Sequence, residues 1–156
     1  MDFIMPSLRL VLFFDGTDNT PKDRTNVWRT HELLAGNDAN GVTQLKKYIT
    51  GVGTEFGERL RGSIFGVGVA RKICEGYQWL AENYRDDAEI YVFGFSRGGF
   101  TARSLVQMVA NCGLAHKDTL VEWSADEIFE RYAAISQQDS EVIHPIWRLR
   151  YWKRCP

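Results

Sequence analysis

The stretch YVFGFSRGG at residues 91–99 constrains the fold more than any other segment, because an apolar run enters a helical pattern through Gly-x-Ser-x-Gly. Glu89 to Phe93 is predicted to be a buried strand, and apolar residues recur at helical spacing from Arg97 onward. A strand, a sharp turn and a helix in this order place a serine hydroxyl above the carboxyl edge of a parallel sheet. The segment therefore predicts that Ser96 is a nucleophile; the alternative is a tight turn in which Ser96 only caps the helix.

The residues on either side of Ser96 favour the nucleophile interpretation. Gly94 and Gly98 have no side chains to clash where the strand and the helix approach each other. The helix that begins near Arg97 directs its N-terminus at the serine, so that backbone N–H groups and the helix dipole would stabilise an oxyanion. We therefore expect Gly94 and Gly98 to form the elbow that presents Ser96.

Strands and helices alternate along the rest of the chain, which predicts one α/β domain with three layers, α/β/α, around a mostly parallel sheet. Two further strands are expected at Leu8 to Phe14 and Lys47 to Val52. Helices are expected after an N-cap at Asn26, from Ala70 to Tyr84, from Arg97 to an end at Asn111 to Gly113, and from Ala125 to Ile135, with an irregular loop from Gly53 to Gly68. We expect Leu8 to Phe14 and Glu89 to Phe93 to be neighbouring or near-neighbouring parallel strands.

Composition and charge exclude several classes of function. The formal net charge is −1, with 19 basic and 20 acidic residues, which gives no electrostatic basis for nucleic-acid binding. No segment approaches the roughly 18 apolar residues of a membrane span, and no signal peptide is recognisable, so cytoplasmic synthesis is expected. Three cysteines without a paired spacing are expected to be reduced thiols.

Three other motif-like patterns do not support a cofactor or a metal. The DGT triplet at Asp15 to Thr17, after the first strand, is typical of aspartate-nucleophile phosphatases, but Phe13 stands where the nucleophile would be. Two Gly-x-Gly strings, at Gly51 and Gly66, have Phe56 and Arg71 in place of the third glycine of a dinucleotide-binding loop. The three histidines are widely separated and lack metal-binding spacing: His31, His116 and His144. The sequence predicts neither a cofactor nor a metal.

Six segments form a recognisable series along the chain. They are LRLVLFFDGTDNT from Leu8, TNV from Thr25, YITGVGT from Tyr48, FGVGV from Phe65, YQWLAENY from Tyr77 and IYVFGFSRGGFTARSL from Ile90. In this order they resemble a bacterial family of α/β-hydrolase domains that includes the phospholipase effectors of type VI secretion systems. The resemblance spans roughly Leu8 to Leu114.

The resemblance implies carboxylic-ester hydrolysis by a Ser-His-Asp triad, with membrane phospholipid as the substrate. Ser96 falls on the family's nucleophile. The backbone N–H groups of Thr17 and Arg97 are then the candidate oxyanion donors, since α/β-hydrolases place the second donor in a loop after a strand. An immunity protein and a secretion carrier are the implied partners, with delivery to a target cell without a signal peptide.

The chain departs from the family after the elbow helix. In this fold the order along the chain is serine, acid, histidine, and the family's acid and histidine motifs are not recognisable here. The acidic and histidine candidates that follow Ser96 match no family motif: Asp118, Asp126, Asp139, His116 and His144. Residues 1–156 are therefore interpreted as the N-terminal portion of a catalytic domain, with a sheet incomplete at its C-terminal side.

Two hypotheses of function follow. One is a serine esterase or phospholipase; the alternative is a catalytically inactive remnant or a partner-binding module. We expect neither His116 nor His144 to hydrogen bond Ser96. We also expect the isolated chain to expose the edge of the Glu89 to Phe93 strand, to self-associate and to lack lipase activity.

Overall fold

A computed structural model describes residues 6–53, 64–116, 120, 124–137 and 152–153 of the chain. The strands are β1 (Leu8–Phe14), β2 (Thr43–Ile49), β3 (Ala88–Gly94), β4 (Leu114–Ala115) and β5 (Trp152–Lys153). The helices are α1 (Asn26–Leu33), α2 (Ile64–Asn83), α3 (Arg97–Cys112) and α4 (Ala125–Gln137), with a short 3-10 helix at Pro21–Asp23.

The main sheet has the order β2-β1-β3, and both neighbours run parallel to β1. The expectation that the first strand and the Glu89 to Phe93 strand are parallel neighbours is confirmed, because β1 and β3 pair directly. The register aligns Phe14 with Ile49 on one side and with Gly94 on the other. All three strands therefore end together, and the loops that follow them share one carboxyl edge of the sheet.

The larger core lies on the face of the sheet covered by α2 and α3, against which α4 packs. Alternate residues of β1, from Leu8 to Phe14, point into this core because successive side chains of a strand face opposite sides. Helix α2 packs very close to the sheet: a Cβ atom at Gly76 would lie 2.7 Å from the Phe14 ring. The Tyr77 hydroxyl donates to the carbonyl of Gly113 at 3.2 Å and accepts from the N–H of Ala115 at 2.9 Å.

The second face of the sheet is covered by α1. Val11, Phe13 and Val27 form a smaller buried cluster there, with Tyr48 packed against it. The structure is thus α/β with helices on both faces of a parallel sheet, which confirms the predicted fold class.

This second face is only partly covered over β3. Tyr91 and Phe93, which share that face with Phe13, are 42% and 43% exposed. The ring of Phe93 stacks on that of Phe13 at 5.1 Å between centroids. Within the described residues β3 is an edge strand, paired with β1 alone. The open edge that the sequence analysis expects on this strand stays a prediction.

Three predicted boundaries are wrong. Thr25, not Asn26, caps α1, since its side chain accepts from the N–H of Trp28. Strand β2 begins at Thr43 rather than Lys47, in a half-exposed edge segment whose polar residues hide the strand pattern. Helix α2 begins at Ile64, inside the predicted loop, although Gly68 has a low helix propensity.

Packing explains the early start of α2. A Cβ atom at Gly68 would lie 2.5 Å from Cγ1 of Val52. The glycine therefore allows the helix to approach the loop after β2, and this tertiary contact outweighs propensity.

Two cysteines lie in the described helices and are free thiols. Burial, with Asp126 as a hydrogen-bond partner, raises the pKa of Cys74 to about 12. Burial also raises the pKa of Cys112. Both thiols are thus kept protonated, as expected for reduced core cysteines.

Candidate active site

Ser96 occupies the turn between β3 and α3. Its backbone has φ 54° and ψ −125°, a positive φ that residues other than glycine rarely adopt. Such strain costs about 1–3 kcal/mol and persists only where the surrounding structure holds it. The Ser96 side chain is exposed and makes no capping hydrogen bond to α3. Ser96 thus occupies the N-cap position of α3, as the alternative expected, but its side chain does not supply the capping hydrogen bond.

The two glycines that flank Ser96 lie where β3, α3 and β1 approach most closely. A Cβ atom at Gly98 would lie 2.4 Å from the carbonyl oxygens of both Phe14 and Asp15. A Cβ atom at Gly94 would lie 2.6 Å from the carbonyl oxygen of Gly98. Neither position has room for a side chain, so the turn can hold this shape only with glycine on both sides of Ser96.

The loop after β1 lies directly beside Ser96. The N–H of Phe95 donates to the carbonyl of Phe14 at 3.0 Å and joins the two strand ends. A Cβ atom at Gly16 would lie 3.3 Å from Cβ of Ser96. The aligned register therefore brings the DGT triplet and the serine turn into contact at one edge of the sheet.

The two candidate oxyanion donors each follow a residue of this contact in the chain: Thr17 follows Gly16, and Arg97 follows Ser96. Arg97 is the first residue of α3, and its side chain is exposed. Thr17 follows Gly16, and its N–H makes no hydrogen bond to any described residue. The Thr17 hydroxyl oxygen is buried and has no partner in the described part of the chain.

Asp15, which the sequence argument considered only as a phosphatase residue, organises this loop. Its carboxylate is buried, with 3% of the residue exposed. One oxygen accepts from the N–H of Gly16 at 2.8 Å, and the other accepts from the hydroxyls of Thr25 and Tyr48, both at 2.6 Å. The sequence feature that could have indicated these partners of Asp15 is that Thr25 and Tyr48 each begin one of the segments that carry the family resemblance.

Electrostatics keep the Tyr48 hydroxyl in its donor form. Burial and the hydrogen bond to Asp15 raise the pKa of Tyr48. His31 packs beside it, with ring centroids 5.7 Å apart. Burial and the nearby Lys46 lower the pKa of His31. The lowered pKa favours the neutral form of the His31 imidazole that packs against Tyr48.

The loop after β2 holds the DGT loop from the opposite side. A Cβ atom at Gly51 would lie 1.7 Å from the carbonyl oxygen of Gly16, so the two backbones are in direct contact. The N–H of Asp18 donates to Val52 at 2.9 Å, and the N–H of Gly51 donates to Asn19 at 3.1 Å. The glycines of the GVG string after β2 thus serve backbone packing next to the candidate site.

No acid or base among the described residues forms a hydrogen bond with the Ser96 hydroxyl. Within them, the Ser96 hydroxyl has no hydrogen-bond partner. His116 lies near the opposite edge of the sheet, where it lines a cavity of about 610 Å³ together with Leu8 and Thr43. This agrees with the expectation that His116 does not contact Ser96. Asp126 lies in the first turn of α4, near Cys74.

The remaining candidates, Asp118, Asp139 and His144, lie outside the described residues. Among the described residues, no three His, Cys, Asp or Glu side chains are grouped closely enough to hold a metal ion. No described helix is both long and apolar enough to cross a membrane.

Comparison with known proteins gives a family model and one curated relative. The family model described as "T6SS, Phospholipase effector Tle1-like, catalytic domain" matches residues 8–147. The uncharacterized protein YEL023C of Saccharomyces cerevisiae is 30% identical over 147 residues, covering 82% of this chain. The chain spans about a fifth of that protein's length, 21%. No solved structure matches the chain significantly.

Proposed function

Because the chain belongs to the family of Tle1-like phospholipase effector catalytic domains of type VI secretion, we propose that it is a serine hydrolase that cleaves carboxylic esters of membrane phospholipids. The observation that carries the proposal is the strained, exposed Ser96 in a strand–turn–helix elbow beside the DGT loop. A positive φ at a serine whose hydroxyl caps nothing points to a function rather than to a structural turn.

In the proposed reaction the Ser96 oxygen attacks the ester carbonyl carbon. A C–O bond forms while the carbonyl π electrons move to the carbonyl oxygen, which becomes an oxyanion. The N–H groups of Arg97 and Thr17 donate to that oxygen, with the N-terminal end of α3 contributing its dipole. Collapse of the intermediate expels the alcohol of the lipid and leaves an acyl-serine, which water then hydrolyses to the free acid.

The proton of the Ser96 hydroxyl must pass to a general base as the attack occurs. Losing the members of such a triad costs on the order of 10⁶ in turnover. The proposal therefore requires an imidazole, oriented by a carboxylate, that is supplied to Ser96 by residues other than those described.

A fluorophosphonate probe tests the proposal. We expect stoichiometric labelling when the folded chain is combined with the residues that supply the imidazole and its carboxylate, with the modified peptide containing Ser96. Ser96→Ala should lose the label, whereas Ser104→Ala, a change of the same type farther along α3, should keep it. Release of fatty acid from phospholipid vesicles, measured with the same variants, identifies the bond that is cleaved. A folded wild-type protein that contains this base and takes up no label at Ser96 contradicts the proposal.

A second candidate, a partner-binding module, is favoured by the open edge of β3. Large apolar side chains are exposed along this edge and on the adjoining turn and helix: Tyr91, Phe93, Phe95, Phe100 and Val106. An unpaired strand edge flanked by apolar side chains is a template for pairing with another chain. An immunity protein or a secretion carrier is the class of partner that the family suggests.

Self-association of the isolated chain tests whether the edge of β3 binds another polypeptide. We expect sedimentation velocity to show oligomers that grow with concentration, and Phe93→Lys to shift them toward the monomer. Leu33→Lys removes an apolar side chain that is 85% exposed on α1, and we expect it to leave the oligomers unchanged. A monomeric wild-type chain, or equal effects of the two variants, contradicts this candidate.

A further inference from the structure

Asp15 has an environment that a purely structural core residue would not need. Its carboxylate is buried, and its three described partners are neutral donors: the Gly16 N–H and the hydroxyls of Thr25 and Tyr48. A buried carboxylate without a cationic partner is an expensive element of a core, even when it is hydrogen bonded. Its three hydrogen bonds all connect the DGT loop to other parts of the chain or fix the loop itself.

Gly16 is held on both sides: Asp15 fixes the peptide before it, and Asn19 and Gly51 fix the peptide between Gly16 and Thr17. Asp15 holds the Gly16 N–H, and the carbonyl of Gly16 accepts from the N–H of Asn19 at 2.9 Å. Gly51 packs against that carbonyl from outside. Because a trans peptide is planar, its N–H points away from its C=O, and fixing the Gly16 carbonyl also fixes the direction of the Thr17 N–H.

We propose that Asp15 is a positioning residue: held by Thr25 and Tyr48, it fixes the Gly16–Thr17 peptide so that the Thr17 N–H faces the carbonyl oxygen of an ester at Ser96. This role rests on the proposed function and extends it to a residue that touches neither substrate nor nucleophile. It also accounts for three separated segments of the sequence, which supply Asp15, Thr25 and Tyr48 to one network.

The effect expected from loosening the network is large because an oxyanion donor acts only in the correct place. A misplacement of about 1 Å can lower a rate by about 10²-fold. Removing one oxyanion donor outright lowers turnover by about 10²–10³-fold. A variant that weakens the support but keeps the donor should therefore lose about tenfold in the bond-forming step.

Tyr48→Phe and Tyr91→Phe form a matched pair for the test. Tyr48 donates to the buried Asp15, whereas Tyr91 donates to the half-exposed Glu89 at 3.0 Å. Both changes remove one tyrosine–carboxylate hydrogen bond. Fluorophosphonate labelling of Ser96 is followed at several probe concentrations, which separates probe binding from bond formation.

We expect Tyr48→Phe to slow bond formation about tenfold while probe binding changes less than twofold. The reason is that the Thr17 N–H donates to the probe oxygen only in the oxyanion-like state. Tyr91→Phe should change neither constant. The inference would be overturned if Tyr48→Phe and Tyr91→Phe had equal rate constants of bond formation. It would also be overturned if Tyr48→Phe weakened probe binding alone. Thr25→Val with Thr25→Ser repeats the test in case Tyr48→Phe folds poorly. The serine should restore the rate that the valine loses, since it keeps the hydroxyl that donates to Asp15.

Amide hydrogen exchange separates this inference from the proposed function. The Gly16 N–H, which Asp15 accepts, should exchange about tenfold faster in Tyr48→Phe than in Tyr91→Phe, in line with the loss of one supporting hydrogen bond. If the wild-type Ser96 takes up no label, the proposed function fails while faster exchange at Gly16 still supports the positioning of the loop. Unchanged exchange at Gly16 overturns the positioning role whatever the labelling shows.

Discussion

Replacing Gly98 by alanine should break the contact between the elbow and the end of β1. A Cβ atom there would lie 2.4 Å from the carbonyl oxygens of Phe14 and Asp15, against 3.4–4 Å for ordinary contact. These neighbours are backbone atoms of the central strand, so they cannot rotate away as a flexible side chain would. The helix must therefore move outward by about 1 Å, and Ser96 must move with it.

The adjacent Gly99 provides the control. A Cβ atom at Gly99 would have its nearest contact at 3.6 Å, from the carbonyl oxygen of Gly94. Both glycines lie in the first turn of α3, so alanine improves helix propensity by up to about 1 kcal/mol at either position. Overpacking of a tight interior costs typically 1–3 kcal/mol and sometimes more. Gly98→Ala should thus lower the free energy of unfolding by about 2 kcal/mol or more, and Gly99→Ala should leave it unchanged or raise it slightly.

Urea denaturation of the two variants measures the stability difference, and fluorophosphonate labelling of Ser96 under native conditions measures the displacement. A shift of about 1 Å should slow labelling by up to about 10²-fold in Gly98→Ala, with little change in Gly99→Ala. The reasoning fails if both variants have the same midpoint. It fails equally if Gly98→Ala is destabilised but labels at the wild-type rate, because the glycine would then serve stability without placing the serine.

Three further predictions concern the rest of the fold. Gly51→Ala, whose Cβ would lie 1.7 Å from the carbonyl of Gly16, should destabilise by about 3 kcal/mol or more in urea, whereas Gly36→Ala, with nothing within 4 Å, should not. Tyr77→Phe removes a buried hydroxyl with two backbone partners and should cost about 1–3 kcal/mol in the same assay. The pKa of His31 is lowered from 6.5 in the folded chain, so its contribution to stability is complete above pH 6.5 and is lost as the pH falls through the lowered value. Denaturation midpoints measured between neutral pH and about pH 5 should therefore decline less in His31→Gln than in the wild type; parallel profiles contradict this.

The parts of the fold that the sequence predicted well are those where local pattern and burial agree. Strand β1 matches its predicted bounds because it is central, and all but one of its residues are buried. Helix α3 begins at the predicted Arg97 because the elbow leaves no other start. Strand β2 was placed too late, since an edge strand with residues such as Gln44 and Lys46 lacks the apolar run of a central strand.

The serine elbow could be located from sequence because all its constraints lie within five consecutive residues. The supporting network could not, because Asp15 meets Thr25 and Tyr48 across sequence separations of 10 and 33 residues. In the sequence, Asp15 matches only a phosphatase pattern, and Phe13 at the nucleophile position excludes that chemistry. A buried carboxylate is defined by the donors that surround it, and these donors come from the ends of other elements. Only the parallel register, which brings the ends of β1, β2 and β3 to one edge, shows that the aspartate and the serine belong to the same site.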